Sequence, residues 1–541
     1  MNALKYVSGL IIASASLVSC DKKLNVVNPN MQTTADFWQT ESDLAEGVVA
    51  TYNLLLVDGT FARTCPALVD VRGDDVNSQS PWTIYPLTAN FTIQADYAGG
   101  YDVESWIWRD FYQLIAKANL VFYNAPNIQF TDQDYKNRLL GQAYFLRALA
   151  YYELAENYQV CPLVLTKPLD QSHYYPATAS EDSIWASIES DLLQAQTMLP
   201  QSYSNVSGPD KGQKGRATWG AATGLLGKVY MIRGDYTKAA AEFKQIIDAG
   251  IYKLVPNYGD NFTFSNENNS ESLFEIQFGN FGITANWVEP SVSTWTQGCA
   301  LNMPYGMTQF GAWGDIHGTQ WLYSEFKKER CKDGTLDPRL YWTLVTYEKE
   351  YDSLTDGRSN TVFGQQPYHT GVLDSTNTNT NVPNTIYLAK YTYARIPGYT
   401  AEVTSPQPGS QINYRFMRYS EILLLYAEAL NELNGPSSDV YKYIQMVRDR
   451  VNLPDLETTQ PGLTQAEMRE QIAHERALEF GAENIRFFDI MRWKWLYDPT
   501  HLAALKSHDA EFNTWVAGHE YLPVPQGELD TNPNLSGNSA N

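Results

Sequence analysis

Apolar residues recur at helical spacing in two long parts of the chain. Within residues 139–157, alanines and leucines fall at intervals of three or four and so share one helix face. Residues 419–433 are amphipathic in the same way, and residues 440–451 carry a stripe of valine and isoleucine. Thr464 and Glu467 form the T-x-x-E pattern of a capping box, which predicts a further helix start. These patterns predict antiparallel helix pairs packed through apolar faces.

A more specific motif, that of a helical repeat, lies between these two parts of the chain. Five positions match the tetratricopeptide pattern L-G-x-x-Y…A-x-x-x-F, namely Leu226, Gly227, Tyr230, Ala239 and Phe243. Gly234-Asp235 is typical of the turn between the two helices, and Gly250 of a helix C-terminus. The repeat is degenerate, because Thr223 stands where the pattern opens with tryptophan. The sequence therefore predicts a mainly α fold with a tetratricopeptide-like helical-repeat scaffold.

The chain changes character over residues 255–415, which are crowded with Asn, Thr, Gly and Pro. A flexible linker would be poor in large apolar groups, yet this stretch also holds several tryptophans. We therefore predict an ordered, loop-rich elaboration that carries the ligand site. The predicted divisions are a signal peptide at 1–19, an N-terminal helical-repeat region at 20–254, the loop-rich insertion at 255–415 and a C-terminal helical region at 416–541.

Charge and composition narrow the function. The chain has 39 Lys and Arg against 61 Asp and Glu, a formal charge of −22, so nucleic acid is excluded as a partner because a folded surface this acidic repels phosphate backbones. The 14 Trp, 36 Tyr and 21 Phe contrast with 7 His and 5 Cys. The chain is rich in stacking surfaces and poor in nucleophiles and metal ligands.

The N-terminus has the features of an export signal. Lys5 precedes a short apolar run at residues 10–13, and the stretch ends at Leu17-Val18-Ser19-Cys20, which resembles the lipobox of bacterial lipoproteins. We expect cleavage before Cys20 and lipidation of its thiol, with fatty acyl chains such as palmitate as the membrane anchor. The alternative is an ordinary secretory signal in which Cys20 is incidental. No later segment has the roughly 18 consecutive apolar residues of a spanning helix.

The sequence lacks the common catalytic motifs. It contains no G-x-S-x-G, no phosphate-binding G-x-x-x-x-G-K-[ST] and no H-E-x-x-H, since Leu478 stands where the second histidine after His474 would be. We therefore expect no catalytic residues, no metal site and no cofactor. Glycoside hydrolysis stays open, because it needs only two suitably spaced carboxylates. Four cysteines form no C-x-x-C pair and are expected to be buried thiols, namely Cys65, Cys161, Cys299 and Cys331.

Motifs along most of the chain resemble the SusD/RagB family, the outer-membrane nutrient-binding lipoproteins of the Bacteroidota. In the C-terminal half they are Arg418–Glu432, Val447–Arg450, Glu475–Phe480, Arg486–Asp489, Arg492-Trp493, Tyr521–Leu529 and Asn532–Leu535. In the N-terminal half they are Arg147-Ala148, Tyr151-Tyr152, Pro162-Leu163 and Gly215–Thr218. A departure is Val451-Asn452, where the family usually has Ala-Gly.

The resemblance implies four tetratricopeptide-like units and a lipid-anchored protein on the outer face of the outer membrane. It implies a SusC-like TonB-dependent transporter as partner and an oligosaccharide as ligand, in the service of polysaccharide utilisation. Two alternatives remain, the same lipoprotein with peptide cargo and a surface glycoside hydrolase. The motif residues themselves are expected to be scaffold, with Glu475, Arg476, Arg486 and Asp489 forming charge pairs between helices.

Two aromatic stretches fit a sugar site, because the C–H face of a pyranose stacks on an aromatic ring while its hydroxyls pair with polar side chains. In the first stretch we predict as ligand contacts Arg72, Asp74, Asp75, Trp82, Tyr85 and Asn90. In the second we predict Trp287, Trp295, Tyr305 and Trp313. Trp106 and Trp108, beside a helical run, are expected in the core instead.

Overall fold

The structure, a computed structural model, describes residues 37–96, 103–167, 173–279, 298–363, 371–374, 376, 385–396 and 409–541. It is mainly helical, as predicted. The helices are α1 (Glu41–Asn53), α2 (Thr64–Asp70), α3 (Ile84–Ala89), α4 (Val103–Asn124), α5 (Gln133–Tyr158), α6 (Glu181–Met198), α7 (Trp219–Ile232), α8 (Tyr236–Ala249), α9 (Asn302–Tyr305), α10 (Gln320–Phe326), α11 (Pro338–Thr343), α12 (Tyr419–Asn434), α13 (Ser438–Arg450), α14 (Leu456–Thr459), α15 (Gln465–Phe480), α16 (Arg486–Arg492), α17 (Pro499–His508) and α18 (Gln526–Thr531).

The strands in the described part of the chain form antiparallel two-stranded ribbons. Their bounds are β1 (Val76–Ser78), β2 (Ser272–Ile276), β3 (Ile316–Gly318), β4 (Leu344–Val345), β5 (Tyr387–Leu388) and β6 (Tyr414–Arg418). The pairs are β1 with β3, β2 with β6, and β4 with β5. Each ribbon joins parts of the chain that lie far apart in sequence.

Helices α4 to α8 pack in chain order, each against the next, and α8 packs on α12. The predicted tetratricopeptide unit is confirmed in α7 and α8. Gly234 takes φ +71° in the turn, Asp235 caps α8, and Gly250 takes φ +64° at its C-terminus. Gly227 allows the close approach, because a Cβ there would lie 2.3 Å from Cε1 of Phe243.

The C-terminal helices also follow the prediction. Helix α15 begins with the capping box, in which the Glu467 backbone N–H donates to Thr464 Oγ1 at 3.2 Å and the Thr464 N–H donates to the Glu467 carboxylate at 2.8 Å. The expected charge pair between Arg476 and Asp489 is present as a double contact of 2.7 and 2.9 Å. Glu475 and Arg486 pair elsewhere, with Arg339 and with Asp74 respectively.

A buried ion network ties the loop-rich region to α13 and α15. Five carboxylates and five cations take part, each at most 2% exposed at its side chain. They are Glu271, Asp337, Glu475, Glu479, Glu483, Arg339, Lys390, Arg418, Arg448 and Arg450. At its centre, the Glu479 carboxylate lies 2.5 Å from Arg450 and 2.9 Å from Arg418. The formal charges of these ten buried groups cancel, and Arg448 also pairs with the partly exposed Glu329 at the edge of the network.

Further expectations about the core are met. Trp108 is buried, and Trp106 packs against the core at partial exposure. Cys65, Cys161, Cys299 and Cys331 are buried free thiols.

None of the described helices combines the length and the apolar character needed to cross a bilayer. The divisions after residues 19, 254 and 415 stay predictions.

Candidate functional site

The ribbon β1–β3 brings the two predicted aromatic stretches together. Ser78 pairs with Ile316 at one end of the ribbon, and beyond that end the Gln79 N–H donates to the Asp315 carbonyl at 2.7 Å. The Ser80 hydroxyl then donates to the Asp315 carboxylate at 2.7 Å. These contacts fix the loop that precedes α3 against the loop that follows α9. Trp82 and Trp313, one from each loop, therefore belong to one surface.

Arg63 lies between the two tryptophans. Its guanidinium carbon is 5.2 Å from the centre of the Trp82 ring and 5.5 Å from that of Trp313, within the range of a cation–π contact. Trp82 also meets Tyr85 edge to face at 5.4 Å. We call the group of Arg63, Trp82 and Trp313 the aromatic platform.

The local backbone and charge hold Arg63 in place. It follows a wide five-residue turn, Asp58–Ala62, and begins α2 from a non-helical conformation. Its Nε donates to Asp58 at 2.9 Å, and the two side chains form a buried ion pair. Burial alone would lower the pKa of Arg63, but the charge of Asp58 raises it above its ordinary value. The guanidinium at the platform is therefore permanently charged.

The platform combines flat apolar surface with polar groups. Trp313 is 38% exposed and Trp82 is partly exposed, so a ligand can reach both side chains. Asp315 supports the loop from below, and burial raises the pKa of its carboxyl, against the opposing effects of Ser80 and Arg63. Exposed Gln309 lies four residues before Trp313. This arrangement suits a ligand that has an apolar face and a hydroxylated edge.

Five of the predicted contact residues lie in the interior, Asp74 among them, and none of the five belongs to the aromatic platform. Arg72, Asp75, Tyr85 and Tyr305 are each at most 2% exposed. The partners of three of them are internal, since Arg72 donates to Asn157 at 2.6 Å, Asp75 accepts from the Ala482 N–H at 2.9 Å and Tyr305 donates to Asp70. Tyr85 instead supports Trp82 from below. These side chains stabilise the fold beneath the loops and offer no surface to a ligand.

Asp74 and the remaining predicted residues have different positions. Asp74 is buried in an ion pair with Arg486, at the opposite end of the ribbon from the platform. Asn90 is half-buried, and its amide donates to the Pro86 carbonyl at 2.7 Å, which closes α3. Trp287 and Trp295 lie outside the described residues. A role for Asn90, Trp287 and Trp295 in ligand binding stays a prediction.

Sequence reasoning missed Arg63, the residue that links the two tryptophans. Its neighbours are apolar, with Phe61 and Ala62 before it and α2 after it. A single positive charge inside this apolar run, with Asp58 five residues earlier as a possible partner, was the sequence feature that could have identified it.

Among the described residues, no group of three or more His, Cys, Asp and Glu side chains is arranged to hold a metal ion.

Known proteins share both sequence and architecture with this chain. A family model described as "SusD family" matches residues 270–540, and one described as "Starch-binding associating with outer membrane" matches residues 24–231. SusD-like protein P2 of Formosa agariphila is 27% identical, over 99% of each chain.

Solved structures agree with the sequence matches. A SusD superfamily protein from Bacteroides vulgatus superposes with a TM-score of 0.76 at 25% identity, over 93% of this chain and 100% of its own. A laminarin-binding SusD-like protein superposes with a TM-score of 0.70 at 25% identity, over 92% and 99%. By its sequence motifs, its helical architecture and these matches, the chain belongs to the SusD/RagB family.

Proposed function

We propose that this protein captures oligosaccharide on the cell surface at the aromatic platform. The observation that carries the proposal is the convergence of Trp82 and Trp313 on Arg63, with Trp313 38% exposed. An indole stacks on the C–H face of a sugar ring, and exposed polar side chains pair with the hydroxyls at its edge, while buried Arg63 holds the two indoles in place. A structural relative described as a laminarin-binding SusD-like protein supports carbohydrate as the ligand class.

The proposal extends to the place of the protein in the cell. Lipidation at Cys20 would anchor the chain to the outer membrane, facing outwards, and a SusC-like TonB-dependent transporter would take the captured ligand. The family model described as starch-binding and associated with the outer membrane, which matches residues 24–231, supports this location. Labelling cells with radioactive palmitate tests the anchor, because Cys20→Ala is expected to abolish incorporation of the label.

Affinity electrophoresis tests the binding function. Native gels that contain laminarin, starch, mannan, xylan or cellulose derivatives are expected to retard the wild-type protein in at least one case. The variant carrying Trp82→Ala and Trp313→Ala is expected to migrate faster in that gel. The control is Tyr497→Ala, which removes an exposed aromatic ring from the C-terminal segment and should leave the retardation unchanged.

The same preparations separate the proposal from its alternatives. Release of reducing ends from any of these glycans by the wild-type protein would identify a hydrolase. Retardation by none of them, together with binding of peptides that the double variant loses, would assign the platform to peptide cargo. Equal retardation of the wild-type protein and the double variant would refute the platform as the principal glycan site.

A further inference from the structure

A second concave surface lies at the other end of the ribbon β1–β3. Val76 pairs with Gly318 there, Asp74 lies two residues before Val76, and Trp321 lies three residues after Gly318. Asp74 and Trp321 both line a cleft of about 710 Å³, a volume typical of small-molecule sites. The cleft shares no lining residue with the aromatic platform. We call it the histidine cleft, after three histidines that line it.

Two of those histidines stack on tryptophans. His508 lies parallel to Trp321, with ring centres 5.0 Å apart, and His501 lies parallel to Trp495 at 4.6 Å. Buried Arg486 is 4.8 Å from the centre of Trp321 and 5.0 Å from that of Trp495. The aromatic part of the cleft is therefore fixed before any ligand arrives, which reduces the entropic cost of binding.

The polar part of the cleft offers carboxylate hydrogen-bond acceptors. His474 Nδ1 lies 2.8 Å from Glu325, and His501 Nε2 lies 2.9 Å from Glu470. Each carboxylate has two oxygens with about four lone-pair directions, so these pairs leave capacity for further hydrogen bonds. The cleft can therefore accept hydrogen bonds from hydroxyl groups of a ligand.

A donor without a partner lies beside these acceptors. Gln471 lines the cleft and is only 7% exposed. Its Oε1 accepts from Gln460 at 3.2 Å, but its Nε2 has no hydrogen-bond partner among the described residues. An unmade hydrogen bond at a buried donor costs about 1–3 kcal/mol. A ligand that accepts a hydrogen bond from Gln471 Nε2 and donates hydrogen bonds to the neighbouring carboxylates would complement both kinds of group.

The charged residues that line the cleft restrict the net charge of its ligand. The cleft lining contains five carboxylates and two permanent cations, besides the three histidines. Burial alone would raise the pKa of Asp74, but Arg486 and His508 lower it to about 2, so this carboxylate stays ionised. A sulfated or uronate ligand would meet net negative charge, whereas a neutral hydroxylated ligand would not.

We propose that the histidine cleft is a second carbohydrate site, for a short segment of a neutral oligosaccharide, independent of the aromatic platform. Sugar hydroxyls both donate and accept, which matches a lining with carboxylate acceptors and an unsatisfied amide donor. The fixed indoles and imidazoles supply the apolar contacts. The inference rests on the cleft's own residues, so it stands or falls separately from the function proposed for the platform.

Blocking the cleft is the sharpest test, because it removes no existing contact. Ala504 is exposed on α17 and lines the cleft, whereas Ala503 is exposed next to it and does not. Ala504→Trp fills the cleft with a large side chain, and Ala503→Trp is the matched control. Gln471→Leu, of similar size, removes the unsatisfied donor and serves as a second variant.

The variants are compared by calorimetric titration in the background of Trp82→Ala and Trp313→Ala. The probes are laminarihexaose, cellohexaose, maltohexaose, mannohexaose and xylohexaose. We expect one binding event per chain for at least one probe, at least 10-fold weaker with Ala504→Trp and unchanged with Ala503→Trp. Gln471→Leu should weaken it about 5-fold or more.

Two results would overturn the proposal. One is that the background variant binds none of these probes. The other is that it binds a probe with an affinity that Ala504→Trp leaves unchanged. Failure of the platform gives a different pattern, in which the background variant binds as tightly as the wild-type protein and Ala504→Trp alone abolishes binding.

Discussion

Glu479 lies at the centre of the buried ion network. Its carboxylate contacts Arg450 at 2.5 Å, Arg418 at 2.9 Å and Arg339 at 3.3 Å, and its side chain has no exposed surface. Glu479→Gln keeps the shape of the side chain and removes its charge. The network would then hold five cations against four carboxylates. Removing one partner of a buried ion pair costs about 3–5 kcal/mol, so we expect the free energy of unfolding to fall by about that amount.

The same network makes stability depend on pH. Burial alone would raise the pKa of Glu479, but the three guanidinium groups hold it far below its ordinary value. The folded protein therefore takes up the proton less readily than the unfolded chain, whose pKa is about 4.3. The stabilisation from Glu479 is complete above that value and is lost as the pH falls towards the folded pKa. Glu479→Gln should remove this part of the acid sensitivity.

Urea unfolding followed by far-ultraviolet circular dichroism, at pH 7 and at about pH 3, measures both effects. The control is Glu470→Gln on the same helix, since Glu470 is 60% exposed and pairs with His501 at the surface. Exposed pairs contribute about 0–1 kcal/mol, so the control should unfold almost as the wild-type protein does. A loss with Glu479→Gln that is no greater than that of the control would refute the reasoning. An unchanged dependence of stability on pH would contradict the account of the pKa.

Three further outcomes follow from the structure. Trp313 is 38% exposed; taking about 250 Å² for the whole side chain, about 95 Å² is available, worth about 2.4 kcal/mol at about 25 cal/mol per Å². Trp313→Ala should therefore weaken glycan binding by up to about 50-fold in a calorimetric titration, with a melting temperature close to that of the wild-type protein. Gly227→Ala should lower the melting temperature, because its Cβ would lie 2.3 Å from Phe243, and Phe243→Leu in the same chain should restore part of the loss. Burial raises the pKa of the Cys161 and Cys299 thiols to about 12 and that of Cys331 to about 11, so a thiol reagent at pH 8 should label none of the buried cysteines until denaturant is added.

Local sequence patterns were sufficient to predict the helical scaffold. Helix α5 follows from the spacing of its alanines and leucines, α7 and α8 from the tetratricopeptide pattern, and α15 from its capping box. Each of these signals depends on residues within one or two helical turns of one another. Such short-range relations are written directly in the order of the residues.

The site was predicted less completely, because it depends on contacts between distant parts of the chain. Arg72 and Tyr305 have side chains suited to sugar binding, yet their partners Asn157 and Asp70 place them in the interior. Residue type indicates what a side chain can bind, but burial is decided by the packing of other elements over it. The meeting of Trp82 with Trp313 likewise depends on the pairing of β1 with β3, which no local pattern specifies.

A crystal structure of the protein with the oligosaccharide that best retards it in affinity gels tests the central claim most directly. We predict an intact oligosaccharide with one sugar ring parallel to Trp82 or Trp313, at a separation of about 4 Å, and a hydroxyl group within hydrogen-bond distance of the side chains around Arg63. A structure in which both indoles carry no sugar while the ligand lies elsewhere would contradict the account. Cleavage of the oligosaccharide in the crystal would contradict it as well.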